Sequence, residues 1–290
     1  MKTKSNKIGD IVKYIHNELK NKYSKDEIQS FINILFEHFA SMNSAHILAF
    51  PDETINESEL LNIYLATEDL RKYRPIQYII GEVDFLNIHI KINEQALIPR
   101  PETEELVQYI IDDCNKEKSE NLNILDLCSG SGCISLALAK NFPNAEVTGI
   151  DISKDAIMLA TENAEKLQLN NAYFIEKDLL NTDFNLEEKY DIIVSNPPYV
   201  RESERIEIKN NVLDYEPWLA LFVKDENPLI FYQKIEEISR KYLKNKGKIY
   251  LECNNFLAKQ TEALFSQKEY FTEIKQDIFG KDRFIFIEKS

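Results

Sequence analysis

Apolar positions Ile11, Val12, Ile15 and Leu19 recur with a helical period, and so do Ile28, Phe31, Ile32, Leu35 and Phe39. Between the two stripes, Ser24-Lys25-Asp26-Glu27 reads as a capping box. Its serine oxygen accepts from the first turn, and its glutamate reaches back to the serine N–H. A third helix is predicted from about Glu57 to Tyr73, stopping before Pro75. Residues 1–80 thus predict an all-α bundle. From residue 76 to 98 the pattern changes to alternation around Phe85, Ile88, Ile90 and Ile92, which predicts strands or a hairpin. Residues 81–98 are read as a β linker.

A helix is expected to open at Pro101. Proline suits the first helical position, and Glu102, Glu104 and Glu105 suit the positive end of the helix dipole. Its buried stripe is Leu106, Val107, Ile110, Ile111 and Cys114. Beyond Asn123, apolar runs alternate with helical patterns. Predicted strands are Ile124–Leu127, Glu146–Ile150, Ala172–Ile175, Asp191–Val194 and Lys248–Leu251. Predicted helices are Ile134–Asn141, Lys154–Lys166 and Leu229–Tyr242. Two more strands flank a turn at Gly280. Alternating strands and helices predict an α/β domain over 99–290, with a mostly parallel sheet covered on both faces.

Composition narrows the function. Hydrophobic residues make up 43% and charged residues 29%, as in an ordinary globular protein. No apolar run reaches the ~18 residues of a membrane span. The first twenty residues carry charges throughout and lack a signal-peptide core, so cytoplasm is the expected compartment. Cys114, Cys128, Cys133 and Cys253 form no CxxC pair, and the four histidines are scattered, so free thiols and no metal site are expected. Net charge is −14, nearly all of it in residues 81–290, which carry 25 Lys+Arg against 38 Asp+Glu. An acidic domain is a poor partner for nucleic-acid phosphates.

Two of the seven glycines fall in "DLCSGSGCI", at Gly130 and Gly132, between a strand and a helix. Glycine there lets main-chain N–H groups approach a ligand. Asp151 ends the next strand, nineteen residues after Gly132, where a carboxylate can accept from both ribose hydroxyls of an adenosine. Asp178 follows the third strand, where it can meet the adenine edge. The third glycine of a dinucleotide fingerprint is missing, and no phosphate loop occurs. An adenosine without a phosphate requirement points to S-adenosylmethionine (SAM). Its cationic tail suits an acidic rim, to which Asp126 would contribute.

The fourth strand runs into Asn196-Pro197-Pro198-Tyr199. Two prolines cannot continue a central strand. The corner lies where open α/β sheets bind ligands, beyond the carboxyl ends of the strands. The Asn196 oxygen and the Pro197 carbonyl can each accept from one –NH₂ group, and Tyr199 can pack on its flat face. Such positioning suits methyl transfer to a planar, weakly nucleophilic nitrogen.

This combination resembles class I SAM-dependent methyltransferases of Rossmann-like fold, which act on adenine, guanine or glutamine –NH₂ groups. Further stretches resemble the peptide-chain release factor glutamine methyltransferases: "RKYRPIQYIIGEVDF", "ALIPRPETEELV", "VLDYEPWLAL" and "DIFGKDRF". The resemblance covers about residues 60–290. It implies a seven-stranded, mostly parallel sheet. It implies methylation of the N5 nitrogen of the glutamine in the factor's Gly-Gly-Gln loop, with an N-terminal helical domain docking the factor. It implies cofactor contacts at Cys128, Ser129, Gly130, Ser131, Gly132, Asp151, Asp178, Leu179 and Asn196. Substrate contacts fall on Asn196 to Tyr199, with Asn196, Pro197 and Tyr199 catalytic. Cys128 stands where the family usually has glycine, and Leu179 where it often has an aromatic residue. Arg100 and Glu102 are candidates for the pocket mouth, and Glu216 and Pro217 for the loop behind Asn196. A monomer with no membrane or direct nucleic-acid partner is expected. The alternatives are a nucleic-acid base N-methyltransferase, which the charge disfavours, and a non-catalytic SAM-binding adaptor, which the intact Asn-Pro-Pro-Tyr disfavours.

Overall fold

The computed structural model describes residues 5–117, 121–266 and 270–290. The chain divides into two units: Met1–Gly81 with Lys209–Tyr215, and Glu82–Ile208 with Glu216–Ser290.

The first unit contains helices α1 (Ile8–Leu19), α2 (Lys25–Ala40), α3 (Ser44–Ala49), α4 (Glu57–Arg71) and α5 (Ile76–Ile80). Ile8, Ile11, Ile15 and Leu19 of α1 are fully buried with Ile28, Leu35 and Phe36 of α2 and Ile63 and Leu70 of α4. Their helical spacing puts each stripe on one face, and the stripes share one core. The predicted capping box is present. Ser24 Oγ accepts from Glu27 N at 3.2 Å, and Glu27 Oε2 accepts from Ser24 N at 3.0 Å. Asn56 and Glu59 form a second box at the start of α4. Helix α5 corrects the sequence reading, which began the strands at residue 76. The run is helical from Ile76 to Ile80, and Gly81 closes it in the left-handed region at φ 78°. Five residues hold too little of a helical period to distinguish helix from strand.

In the second unit, β1 (Glu82–Phe85) and β2 (Ile88–Lys91) pair as an antiparallel hairpin. Helix α6 (Pro101–Glu117) follows. Then come β3 (Asn123–Leu127), α7 (Cys133–Asn141), β4 (Glu146–Asp151), α8 (Lys154–Lys166), β5 (Ala172–Glu176) and β6 (Tyr190–Ser195). A short excursion contains β7 (Val200–Arg201), a 3₁₀ turn at Glu202–Glu207, α9 (Asn210–Leu213), α10 (Trp218–Leu221) and β8 (Phe222–Val223). Within it, α9 belongs to the first unit. The chain ends with α11 (Ile230–Tyr242), β9 (Leu243–Glu252), α12 (Ala258–Phe265), β10 (Tyr270–Gln276) and β11 (Asp282–Lys289).

The main sheet has seven strands in the order β10-β11-β9-β6-β3-β4-β5. From β9 to β5 the neighbours are parallel, while β11 is antiparallel to both β9 and β10. Each face has its own core. Ile192 and Val194 of β6 pack with Leu106, Ile110 and Leu136, whereas Ile193 between them packs with Tyr232 and Ile235. That alternation is the two-residue period of a strand buried on both faces. Strand order reverses at β3, with β4 and β5 to one side and β6 and β9 to the other. Such a switch point opens a crevice at the carboxyl ends of the strands.

Candidate active site

A cavity of about 300 Å³ occupies that crevice. Cys128, Ser129, Gly130 and Ser131 line it after β3, Asp151 at the end of β4, Asp178 and Leu179 after β5, and Asn196 and Pro198 after β6. Four separate stretches of sequence therefore meet in one space. Gly132, Pro197 and Tyr199 fall outside the lining.

Three residues of the loop after β3 have positive φ: Cys128 at 65°, Gly130 at 53° and Gly132 at 81°. A Cβ on Gly132 would lie 2.9 Å from Phe174 Cζ and 3.0 Å from Ala160 Cβ. Glycine there lets the loop sit tightly on β5 and α8. A Cβ on Gly130 would meet nothing within 4 Å, so its face toward the cavity is bare main chain. Cys128 holds the same left-handed region with a side chain, which is unfavourable for an L-residue.

Asp151 is pinned at both oxygens. Its Oδ2 accepts from Gly130 N and its Oδ1 from Ser153 N, each at 2.9 Å. Burial raises its pKa, and the main-chain donors oppose the rise. Each carboxylate oxygen keeps a further lone pair for a hydroxyl. Asp178 accepts from Leu180 N at 2.8 Å. Leu179 is buried and presents an aliphatic wall to the cavity.

Asp126 lies beneath the loop, fully buried, not on the rim where the sequence reading put it. Strand alternation turns it toward α7, where its Oδ2 accepts from Ser135 Oγ at 2.6 Å and Ser135 N at 3.2 Å. Burial pushes its carboxyl up to about 7, with the two Ser135 bonds opposing and the charge of Asp151 adding. Its Oδ1 and Ser129 Oγ are buried without hydrogen-bond partners among the described residues. Buried polar atoms are normally satisfied, so these two mark places for ligand groups or water. Bare main chain at Gly130, a pinned carboxylate at Asp151 and orphaned oxygens beneath form a donor and acceptor set that fits a nucleoside with a cationic tail.

The corner after β6 is held by residues that sequence reading missed. Asn196 Nδ2 donates to Thr103 Oγ1 at 3.0 Å, and Thr103 Oγ1 donates to Glu252 Oε2 at 2.7 Å. Tyr199 Oη donates to Glu252 Oε1 at 3.0 Å. Glu252 is 1% exposed. Burial raises its pKa, opposed by the Thr103 and Tyr199 bonds and by the Arg283 charge. The Arg283 guanidinium lies 5.9 Å from the Tyr199 ring centroid. Sequence reading put the Tyr199 ring against a substrate; here that ring lies off the cavity, and its hydroxyl supports Glu252. Asn254 Nδ2 donates to the Tyr199 carbonyl at 3.3 Å and to Glu204 Oε2 at 3.0 Å.

A further part of the wall joins two predicted segments. Arg100 Nη2 donates to Glu216 Oε1 at 2.6 Å, and Ile98 N donates to Glu216 Oε2 at 3.3 Å. Arg100 and Pro217 line the cavity, with Leu219 and Ala220 of α10 beyond them. Glu102 falls outside the lining, and Thr103 next to it faces in. The signal for Thr103 was a small polar residue at the start of a helix otherwise rich in glutamate.

Among the described residues no cluster has metal-ligand character, and no helix is long and apolar enough to cross a membrane. Comparison with known proteins gives two family matches: a PrmC N-terminal domain over residues 10–81 and a methyltransferase domain over residues 118–283. The release factor glutamine methyltransferase of Flavobacterium psychrophilum is 45% identical over 265 residues, covering 91% of this chain and 92% of its own. That of Bacteroides thetaiotaomicron is 38% identical, covering 95% and 98%. That of Streptococcus pneumoniae is 39% identical over 289 residues, covering 97% and 98%. With a fold, a crevice and an Asn-Pro-Pro-Tyr corner already in place, likeness over nearly the whole length settles the relationship: the chain belongs to the release factor glutamine methyltransferase family.

Proposed function

We propose that this protein transfers a methyl group from SAM to the side-chain N5 of the glutamine in the Gly-Gly-Gln loop of a peptide-chain release factor. The observation that carries the reading is the position of Asn196. It shares one cavity with Asp151 and the bare main chain of Gly130. An acceptor for an amide nitrogen and a seat for an adenosine therefore face one another.

Asp151 would hold the ribose hydroxyls, Gly130 and Ser129 the tail, and Asp178 and Leu179 the adenine. When bound, SAM supplies a methyl group made electrophilic by its sulfonium. An amide nitrogen is a poor nucleophile because its lone pair is delocalised into the carbonyl. Asn196 Oδ1 and the Pro197 carbonyl would each accept one of its two N–H bonds. Two acceptors in place before reaction fix the nitrogen and favour the positive charge that develops on it. Leu179, Pro198 and Leu219 supply apolar walls that exclude water. The methylated nitrogen is strongly acidic, so its extra proton would pass to solvent water without a dedicated base.

The helical unit is the proposed dock for the factor, residues 99–290 the methyltransferase domain after a β linker at 81–98, and the working form a monomer. Four free cysteines, three of them buried, suit a reducing compartment, which supports a cytoplasmic site of action.

The test is methyl transfer from labelled SAM to purified release factor, beside the same factor with its loop glutamine changed to alanine and a mixed nucleic-acid sample. Label on the factor that disappears with the glutamine is the expected result. Label on nucleic acid would replace this reading with base methylation.

A further inference from the structure

The side chains of Asn196, Thr103, Glu252 and Tyr199 form one hydrogen-bonded chain with a direction. An ionised carboxylate only accepts. Thr103 has a single hydroxyl hydrogen, and at 2.7 Å from Glu252 Oε2 that hydrogen is committed to the carboxylate. What remains on Thr103 Oγ1 is a lone pair. The group 3.0 Å from it on Asn196 must therefore be the donor, Nδ2. The Asn196 carbonyl oxygen is excluded from that side.

The second oxygen of Glu252 accepts from Tyr199, three residues after Asn196 in the same turn. One carboxylate thus braces both ends of the Asn-Pro-Pro-Tyr corner. Backbone pairing sets it there. Ser195 on β6 is the register partner of Leu251 on β9, so Glu252 follows directly beside Asn196. Burial raises the pKa of Glu252 and the Arg283 charge opposes the rise, and both of its oxygens accept hydroxyl hydrogens, the arrangement of a carboxylate.

Building on the proposed function, we propose that Thr103 and Glu252 are positioning residues which lock the Asn196 amide with its oxygen toward the substrate, so that the site selects a carboxamide over a carboxylate. The corner could be held by packing alone with either end of the amide forward. With Nδ2 forward it would offer donors, which suit a glutamate. With Oδ1 forward it offers an acceptor, which suits the –NH₂ of a glutamine and repels a carboxylate. The direction of the Thr103 hydroxyl decides between them.

The experiment uses the full chain with Thr103→Val and Thr103→Ser. Valine keeps the shape and removes the hydroxyl; serine keeps the hydroxyl. Methylation of a release factor is measured as kcat and KM, with the same factor carrying glutamate in its loop as a competing inhibitor. Thr103→Val is expected to lower kcat/KM by roughly 10–100-fold. It should also tighten inhibition by the glutamate factor by at least about 3-fold relative to wild type. Thr103→Ser should restore both. Wild-type kinetics in Thr103→Val, a loss that serine does not restore, or parallel weakening of both factors would overturn the proposal.

A second readout needs no substrate. In protein labelled with ¹⁵N at asparagine, one Asn196 Nδ2 proton should be protected from exchange in wild type and unprotected in Thr103→Val. Unprotected protons in wild type would refute the lock whatever the substrate proves to be. A protected proton in an enzyme inactive on release factors would refute only the proposed substrate.

Discussion

The main-chain N–H of Gly130 lies 2.9 Å from Asp151 Oδ2, so the loop after β3 is tied to the end of β4 by the carboxylate that faces the cavity. Ser153 N binds the other oxygen at the same distance. Asp151→Asn would turn an –NH₂ toward one of two N–H groups, leaving a donor facing a donor. Loss of the ribose acceptor and of loop order together should weaken SAM binding by roughly 10–100-fold and lower stability by about 1–3 kcal/mol. Titration calorimetry and a thermal melt on the same sample would check both. Unchanged SAM affinity would remove Asp151 from the nucleoside site.

Asp126 gives the site a pH dependence. Its carboxyl, pushed up to about 7 by burial, takes up a proton in the folded protein well above its ordinary range. The folded state therefore binds more protons than the unfolded chain between about pH 4 and 7. The stability this contributes is complete below about 4 and is lost as pH climbs through about 7. Asp151, also raised by burial, acts in the same direction. A cationic ligand prefers the charged carboxylate, so SAM affinity should rise through about pH 7 and then level. Asp126→Asn should flatten both profiles. At pH 8 it should stabilise the free enzyme by roughly 1–3 kcal/mol and weaken SAM binding several-fold. A steep affinity profile persisting in the variant would assign the titration elsewhere.

Cys128 sits at φ 65° with a Cβ, at the position where the resemblance puts glycine. Cys128→Gly relieves the left-handed strain but loosens the unfolded chain, so it should stay within about 1 kcal/mol of wild type. Cys128→Val adds a branch where the backbone least accommodates one and should lose roughly 1–2 kcal/mol. Urea unfolding of the two variants separates backbone conformation from loss of the sulfur. Equal destabilisation by glycine and valine would mean that the thiol's packing dominates.

Much of this was legible in the chain because the central strands β3 and β6 are buried on both faces. Ile192–Val194 is a continuous apolar run for that reason, and Asp151 and Asn196, at the carboxyl ends of predicted strands, could be placed by topology alone. The capping box at Ser24 was legible because its partners are three residues apart. Thr103 and Glu252 were not, because their bond spans 149 residues and neither carries a local signature. The bond from the Tyr199 hydroxyl to Glu252 was not legible for the same reason. An aromatic residue after two prolines suggests a stacking face, and only the neighbouring strand shows that its hydroxyl is already engaged. Ile76–Ile80 was misread because a five-residue apolar run carries no period.

Arg100 and Glu216, 116 residues apart, join two segments at the cavity wall. The Glu216 side chain is 1% exposed, whereas that of Arg100 is 32% exposed. The asymmetry sets the energetics. Arg100→Met should leave a buried carboxylate held, among the described residues, by Ile98 N, at a cost of roughly 2–4 kcal/mol. Glu216→Gln should be milder, because the partly exposed guanidinium retains water and the amide oxygen can still accept from it. Combining them removes the unpaired charge, so the double variant should be more stable than Arg100→Met alone by at least about 1 kcal/mol. Thermal unfolding of the four proteins closes the cycle. Because Arg100 and Pro217 both line the cavity, loosening this wall should raise KM for the factor in Arg100→Met and recover partly in the double variant. Additive losses would mean that the two residues act through separate contacts.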